Sequence, residues 1–313
     1  MRKYVQSWNF MLQRELSRGF VAQAGYVGTR AVGQMGYVGL NPGAPGTGTA
    51  GRALYPQFGL TADINIIQPY KTTTYDGLQT QLTRRWSTSQ VGVVYTFSKA
   101  INYADNDGGP RIQWQPAANL NRGPALYDRT HNFQSYWVLE APFGKGHRWA
   151  TGGIPSKLLG GWQLNGLLGA MSGWPITIVQ GNALNLNAPS SGQVPDQVKA
   201  NVEILGGVGP GRPWFDTTAF APVNIPAGQP QRFGNAGRNN VRGPSFFNTD
   251  LSLFRTFDIK ERVHLQFRAE ALNVFNHPNF ALGLQWDGNN NVSDPSQLGI
   301  INYTVGSNGA SGN

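Results

Sequence analysis

The amino-acid sequence predicts an all-β fold, an up-and-down antiparallel meander of about nine long strands. Three observations lead there. Apolar and polar residues alternate with period two over whole stretches of the chain. These stretches reach roughly 10–13 residues, against about 5–6 for a globular strand. The connections between them alternate between short and long. A strand that crosses a bilayer needs about 9–11 residues at its tilt, and membrane barrels gather their short turns at one end and their long loops at the other. The predicted architecture is therefore a transmembrane β-barrel wall. A soluble β-sandwich module with long binding loops also satisfies the alternation, because its polar face would meet bulk water instead of a lumen.

Taken in order, residues 4–15 set Trp8, Phe10 and Leu12 against Ser7, Asn9 and Gln13, and 19–29 continue the pattern after a short turn. In 73–86, Leu78, Thr80, Leu82 and Trp86 oppose Gln79, Gln81, Thr83 and Arg85. Residues 90–101 place Val91, Val93, Tyr95 and Phe97 on one face, and 130–141 place Phe133, Trp137 and Leu139. Residues 160–180 are expected as one long or bent strand. Leu158–Val179 carries no charge and is long enough for a membrane helix, but its glycines and Pro175 make a poor one. In 246–257 and 262–275 the pattern is clearest. Leu251, Leu253, Val263, Leu265 and Phe267 form the expected lipid-facing set, and Asn248, Asp250, His264, Gln266, Arg268 and Glu270 the expected lumen-facing set. Residues 297–304 complete the predicted nine. Trp86, Phe20, Trp162 and Phe257 fall near short-turn ends, and Phe97, Tyr26 and Phe247 near long-loop ends, as two interfacial aromatic girdles would.

Composition narrows the function classes. Charged residues are 13% of the 313, about half of the roughly 25% usual in soluble domains. Absence of cysteine excludes a disulfide scaffold, a thiolate metal site and a cysteine nucleophile. His131, His147, His264 and His277 have no zinc-helix spacing, Gly144-Lys145-Gly146 lacks the rest of a phosphate loop, and no GxSxG elbow occurs. Asp105–Gly108 and Asp287–Asn291 lack the ligand spacing of a calcium loop and read as turns. No enzyme activity and no cofactor are expected. The +9 charge is dispersed over Arg84-Arg85, Arg111, Arg122, Arg129, Lys145, Arg148, Arg238 and Arg242. Without a dense patch or a recognition motif, nucleic acid is not an expected partner, and phosphate-rich lipid is.

Several stretches resemble the barrel of TonB-dependent outer-membrane receptors of the Oar-like branch: residues 4–30, YPQFG at 55–59, YDGLQTQLTRRW at 75–86, YTFSKAI at 95–101, YDRTHNFQSYWVLEAPFGKG at 127–146, 158–178, WFDTTAFAPV at 214–223, and 233–280. They cover most of the chain in family order. The resemblance implies a 22-stranded barrel in the bacterial outer membrane, filled by a plug that contacts the TonB energy complex. The implied partners are outer-membrane lipid, lipopolysaccharide and an unidentified solute. Residues 1–313 read as one partial barrel domain. Plug, signal peptide and a closing strand with a terminal aromatic are not seen, and the chain reads as an internal piece of a longer receptor.

Overall fold

The computed structural model describes residues 3–105, 109–183, 185–260, 263–282 and 289–305. Eight long strands follow one another in chain order across one antiparallel sheet. They are β1 (Tyr4–Glu15), β2 (Phe20–Gly39), β3 (Asn65–Trp86), β4 (Ser89–Asn102), β5 (His131–Glu140), β6 (Trp162–Met171), β7 (Phe246–Lys260) and β8 (Val263–Ala271). A two-residue strand, Gly123–Pro124, adds to β4 as the ninth member. Among the described residues β1 and β8 do not pair with each other, so the sheet is open and no barrel closes.

Register carries the alternation from strand to strand. Residues directly opposite in an antiparallel pair share a face, so each face can be followed across the whole sheet. Phe10 faces Tyr26, Tyr26 faces Leu78, and Leu78 faces Phe97. Farther along, Trp137 faces Gly166, Gly166 faces Leu251, and Leu251 faces Ala271. The opposite face runs through Gln23–Gln81, Thr96–Asn132, Asn165–Ser252 and Ser252–Glu270. A slip of one residue anywhere would exchange the two faces, which is why a continuous pattern specifies a single register. Glycines inside the strands have a local cause. At Gly166 a Cβ would lie 2.2 Å from the Trp137 ring, and at Gly28 one would lie 2.4 Å from the Trp8 ring. Each indole lies over the backbone of its cross-strand glycine.

Three expectations are corrected. Residues 297–304 are not a strand of the sheet. Tyr303–Thr304 pairs with Phe280–Ala281 in a separate ribbon, and Leu298 and Ile301 are buried in a core outside the sheet. The strand expected over 160–180 ends at Met171. Pro175–Ile176 turns away to pair with Val241–Arg242, and Gly173 passes so close to Gly243 that a Cβ would sit 1.8 Å from its carbonyl oxygen. Strands alternate in direction without that extension. Finally, much of the loop expected over 30–72 is strand: β2 and β3 stay paired from Phe20–Arg84 out to Gly39–Asn65. Their outer halves lack a polar and an apolar side, so alternation gives no signal there. At its far end β8 stops at Ala271, where Asn273 takes a left-handed φ of 46° and its N–H donates to Asp250 Oδ1 at 2.8 Å.

The core of the molecule lies in the long connections. The described residues of 40–64, 103–130, 172–245 and of the segment after β8 all lie at the same end of the sheet. Ile176, Ile178, Phe215, Phe220, Val241, Leu298 and Ile301 pack into one buried cluster, and Ile112, Leu186, Ala188 and Phe233 into another. Together these segments form a cap. Buried amide side chains take the place of strand partners within it. Gln180 donates to Val223 O at 3.1 Å and accepts from Val223 N at 2.8 Å. Asn41, fully buried, donates to Leu60 O and Ala62 O and accepts from Leu54 N. Amides satisfy buried backbone groups without the cost of desolvating an ion, which is the use this charge-poor chain makes of its Asn and Gln.

Candidate functional site

Two features can bear function: the two-faced wall and the cap above it. On the wall, Leu251, Leu253, Leu265 and Phe267 share one face, with Leu253 opposite Ala269 and Phe257 opposite Leu265. Leu265 is 58% exposed and Phe267 47%. Val263 belongs to β8, but its side chain lies outside the described residues. Asn248, Asp250, Gln266, Arg268 and Glu270 share the other face, and His264 continues their alternation. There Asn248 donates to Asp250 at 2.9 Å, Arg268 pairs with Glu270 at 3.7 Å, and the Arg268 guanidinium sits 4.4 Å from the Phe254 ring centre.

All seven aromatic residues expected in girdles fall on the apolar face by register. The alternation also conceals cations near the short turns, Arg84 and Arg255 among them. Arg84 and Arg255 occupy apolar-face positions that the sequence pattern passes over, and those two gaps were the available signal. Both lie toward the short-turn end, among rings. Arg84 is 5.0 Å from the centre of Phe20 and 4.9 Å from that of Trp86, and Arg255 is 5.2 Å from Trp162 and 4.3 Å from Phe257. Arg255 also donates to the carbonyls of Lys157 and Leu158. On β3 the charge-free window between Asp76 and Arg84 spans eight positions, roughly 27 Å along the strand. On β4 the window from Ser89 to Lys99 spans ten, roughly 33 Å. At a tilt of about 35–45° these lengths match an apolar band about 25 Å tall. No second sheet covers this face among the described residues: Trp8, Phe10, Leu12, Leu78 and Phe97 are all exposed.

Two charge pairs hold two connections of the cap to each other beside the end of β4. Arg238, 9% exposed, pairs with Asp105 and donates to the carbonyls of Asn102, Asn121 and Gly123. Burial lowers its pKa, against the opposing pull of Asp105. Arg242 pairs with the buried Asp128, whose other oxygen accepts from Ala100 N at 2.6 Å. Beside it Arg129 donates to Ser172 O and lies 4.0 Å from the Trp174 ring centre. Burial, and then the charge of Arg242, lower the Arg129 pKa to about 10. Arg238 and Arg242, which the sequence reading disperses toward lipid phosphate, are therefore spent inside the protein.

Between the outer part of the β2–β3 ribbon and the cap opens a cavity of ≈ 700 Å³, lined by Tyr70, Lys71, Tyr103, Asp105, Tyr127 and Trp174 among others. Sequence reasoning missed it. Its rings come from three separate segments, and only the folded cap assembles them. Among the described residues no group of three or more His, Cys, Asp or Glu converges as a metal ion would require.

A wall of consecutive antiparallel strands with one apolar side, one polar side and a bilayer-sized band is what decides among known families. The outer membrane beta barrel domain matches this chain over residues 1–310. The chain belongs to that family. It is accordingly a protein of the bacterial outer membrane, all-β and antiparallel. No curated protein and no solved structure matches it. No helix among the described residues is long and apolar enough to cross a membrane, which says nothing about crossing by strands.

Proposed function

We propose that this chain forms part of the wall of a TonB-dependent, Oar-like outer-membrane receptor, within a larger barrel of about 22 strands. The apolar face meets lipid, the face of Asp250, Gln266, Arg268 and Glu270 meets the lumen, and the cap stands outside the cell. There it meets lipopolysaccharide and captures a solute, which is imported when an inner-membrane energy complex acts through a plug. The observation that carries this reading is the register. One apolar face extends over eight strands, and the connections 40–64, 103–130 and 172–245 all leave the same end. The open edges at β1 and β8 are consistent with further strands on either side.

The cysteine-free chain is suited to a labelling test. Tyr127→Cys in the cap should react with a membrane-impermeant maleimide on intact cells, and Ser17→Cys in a short turn only after permeabilisation. The reverse pattern would overturn the orientation. For import, the medium components depleted by wild-type cells should be compared with those depleted by cells lacking this gene. Solutes whose depletion needs the gene should need the energy complex as well. Depletion that persists without that complex would remove the TonB-dependent part of the proposal and leave the wall intact.

A further inference from the structure

We propose that the cavity between the β2–β3 ribbon and the cap binds a neutral oligosaccharide, with sugar rings stacked on Tyr127 and Trp174. The proposal names a solute class for the outer loops, and it rests on the reading above only for the cavity's facing the outside of the cell.

The first observation is position. The lining residues Tyr70, Lys71, Thr72 and Thr73 lie on β3 beyond Asp76, which closes the charge-free window on that strand. The cavity therefore stands in water, clear of the apolar band. Its volume of ≈ 700 Å³ falls within the range of about 300–1,000 Å³ that holds small organic ligands, which leaves room for a short oligosaccharide.

The second is a set of rings, of which Trp174 and Tyr103 are braced by their neighbours. Trp174 is backed by the Arg129 guanidinium at 4.0 Å, and that guanidinium is anchored on Ser172 O. Tyr103 stands edge-on to Tyr70 at 6.3 Å with Lys71 Nζ at 5.7 Å from its ring centre. Tyr127 presents its ring to solvent, 64% exposed. Rings already fixed lose little freedom on binding, and Tyr and Trp combine an apolar body with a polar tip. The C–H faces of a pyranose fit such surfaces.

The third is the charge state of the polar lining. Asp105 is already occupied by Arg238, Asn239, Asn102 and the Leu126 N–H. Among the described residues that line the cavity, Lys71 is the one cation, and it lies over Tyr103. An anionic ligand would find little compensation. The remaining polar groups, from Gln34, Thr72 and Thr73, are amides and hydroxyls. Thr73 Oγ1 already donates to Gln34 Oε1, and a ring of ligand hydroxyl groups would pair with the hydrogen-bonding capacity that the Gln34 amide and the Thr72 hydroxyl still hold.

The test uses the complete receptor that contains this chain, in detergent micelles, titrated calorimetrically with maltohexaose, cellohexaose, xylohexaose and, as the anionic comparison, hexagalacturonate. At least one neutral hexamer should bind saturably and more tightly than hexagalacturonate. Tyr127→Ala and Trp174→Ala should each weaken that binding at least about tenfold, the scale of losing one stacked ring. Tyr127→Phe, which keeps the ring, should weaken it less than Tyr127→Ala, and Trp86→Ala at the opposite end should leave it unchanged. Retained heat-modifiable electrophoretic mobility confirms that each variant is folded. Binding of none of the neutral hexamers, preference for the anionic one, or indifference to Tyr127→Ala in a folded variant would overturn the proposal. Because the titration is done in micelles, its failure is separate from failure of the cell-surface labelling above.

Discussion

Val93 and Val94 are adjacent and identical, and by register they point to opposite faces. Val93 lies between Leu82 and Ser135, on the apolar side, and Val94 lies between Gln81 and Gln134, on the polar side. Replacing each by Arg makes the same chemical change with the same loss of β-propensity, so the difference between the two variants reports the surroundings. Val93 stands four positions from Ser89 and six from Lys99, roughly 13 and 20 Å along the strand, near the middle of the charge-free window. Val93→Arg should therefore cost about 2–4 kcal/mol, the midplane value for a lipid-facing cation, and Val94→Arg about 0–1 kcal/mol. Depth provides the internal control. Leu78→Arg, two positions from Asp76 on the same apolar face, should cost about 0–1 kcal/mol because the cation reaches the interface. The assay is urea unfolding of the complete receptor that contains this chain, in phospholipid vesicles, followed by tryptophan fluorescence and by heat-modifiable mobility. Equal costs at Val93 and Val94 would refute the two-faced wall. A Leu78→Arg cost as large as that of Val93→Arg would show protein, not lipid, against this face, since a packed core has no depth gradient.

Three further outcomes follow from single contacts. Gly166→Ala should cost about 1–3 kcal/mol by overpacking and alter the near-ultraviolet circular dichroism of Trp137, whereas Gly169→Ala, with nothing within 4 Å of its added carbon, should be close to neutral. Arg238→Ala should cost about 3–5 kcal/mol by stranding Asp105 beside buried carbonyls, and Arg238→Lys should fail to restore it because an ammonium cannot span the same acceptors. The measurement for both is protease resistance of the cap alongside far-ultraviolet circular dichroism of the sheet. The cap should also loosen in acid. Asp63 is held below its usual pKa by hydrogen bonds from Ser190 and Arg52, Asp196 by Arg232, and Asp216 by Lys199 and Thr218. Carboxyls depressed in the folded state lend stability above their unfolded pKa, and that stability fades as pH falls through the folded values. Pepsin should therefore cut within 172–245 progressively below about pH 4, with strand content retained. A cap as resistant at pH 2.5 as at pH 4.5 would contradict this.

Much of the wall was legible in the sequence because a bilayer-facing strand must alternate, and alternation is local. Leu78 to Trp86 and Val91 to Phe97 were assigned their faces from neighbours along the chain alone, and register places them there. Where the constraint lapses, so does legibility. The outer halves of β2 and β3, around Gln34–Gly36 and Pro69–Lys71, carry no period because the cap and water share both of their sides. Arg84 and Arg255 break the pattern while obeying the physics, since a long side chain near the end of a strand can keep its charge among interfacial rings. The cap was illegible for a different reason. Its core joins Ile112 to Phe233 and Ile178 to Leu298, pairs separated by more than a hundred positions in sequence, and no local period encodes such contacts.

The two halves of the molecule thus use the same force in opposite senses. In the cap, apolar side chains turn inward, and Phe215 and Ile178 are fully buried. In the wall they turn outward, where among the described residues no protein layer lies against them, and on the proposed reading hydrocarbon buries them. Low overall charge follows from both. The outward face excludes charge between its interfacial arginines, and the cap replaces ions with amides wherever backbone must be satisfied out of water. Two of the charge pairs taken inside tie one connection of the cap to another at the edge of the wall. Asp105 and Asp128 sit on the connection that leaves β4, and Arg238 and Arg242 reach them from the long connection ahead of β7. The cavity opens beside this junction, with Asp105 on its wall and Trp174 braced by Arg129. Asp105, held by Arg238, thus fixes one wall of the cavity while Arg129 fixes the Trp174 ring beside it.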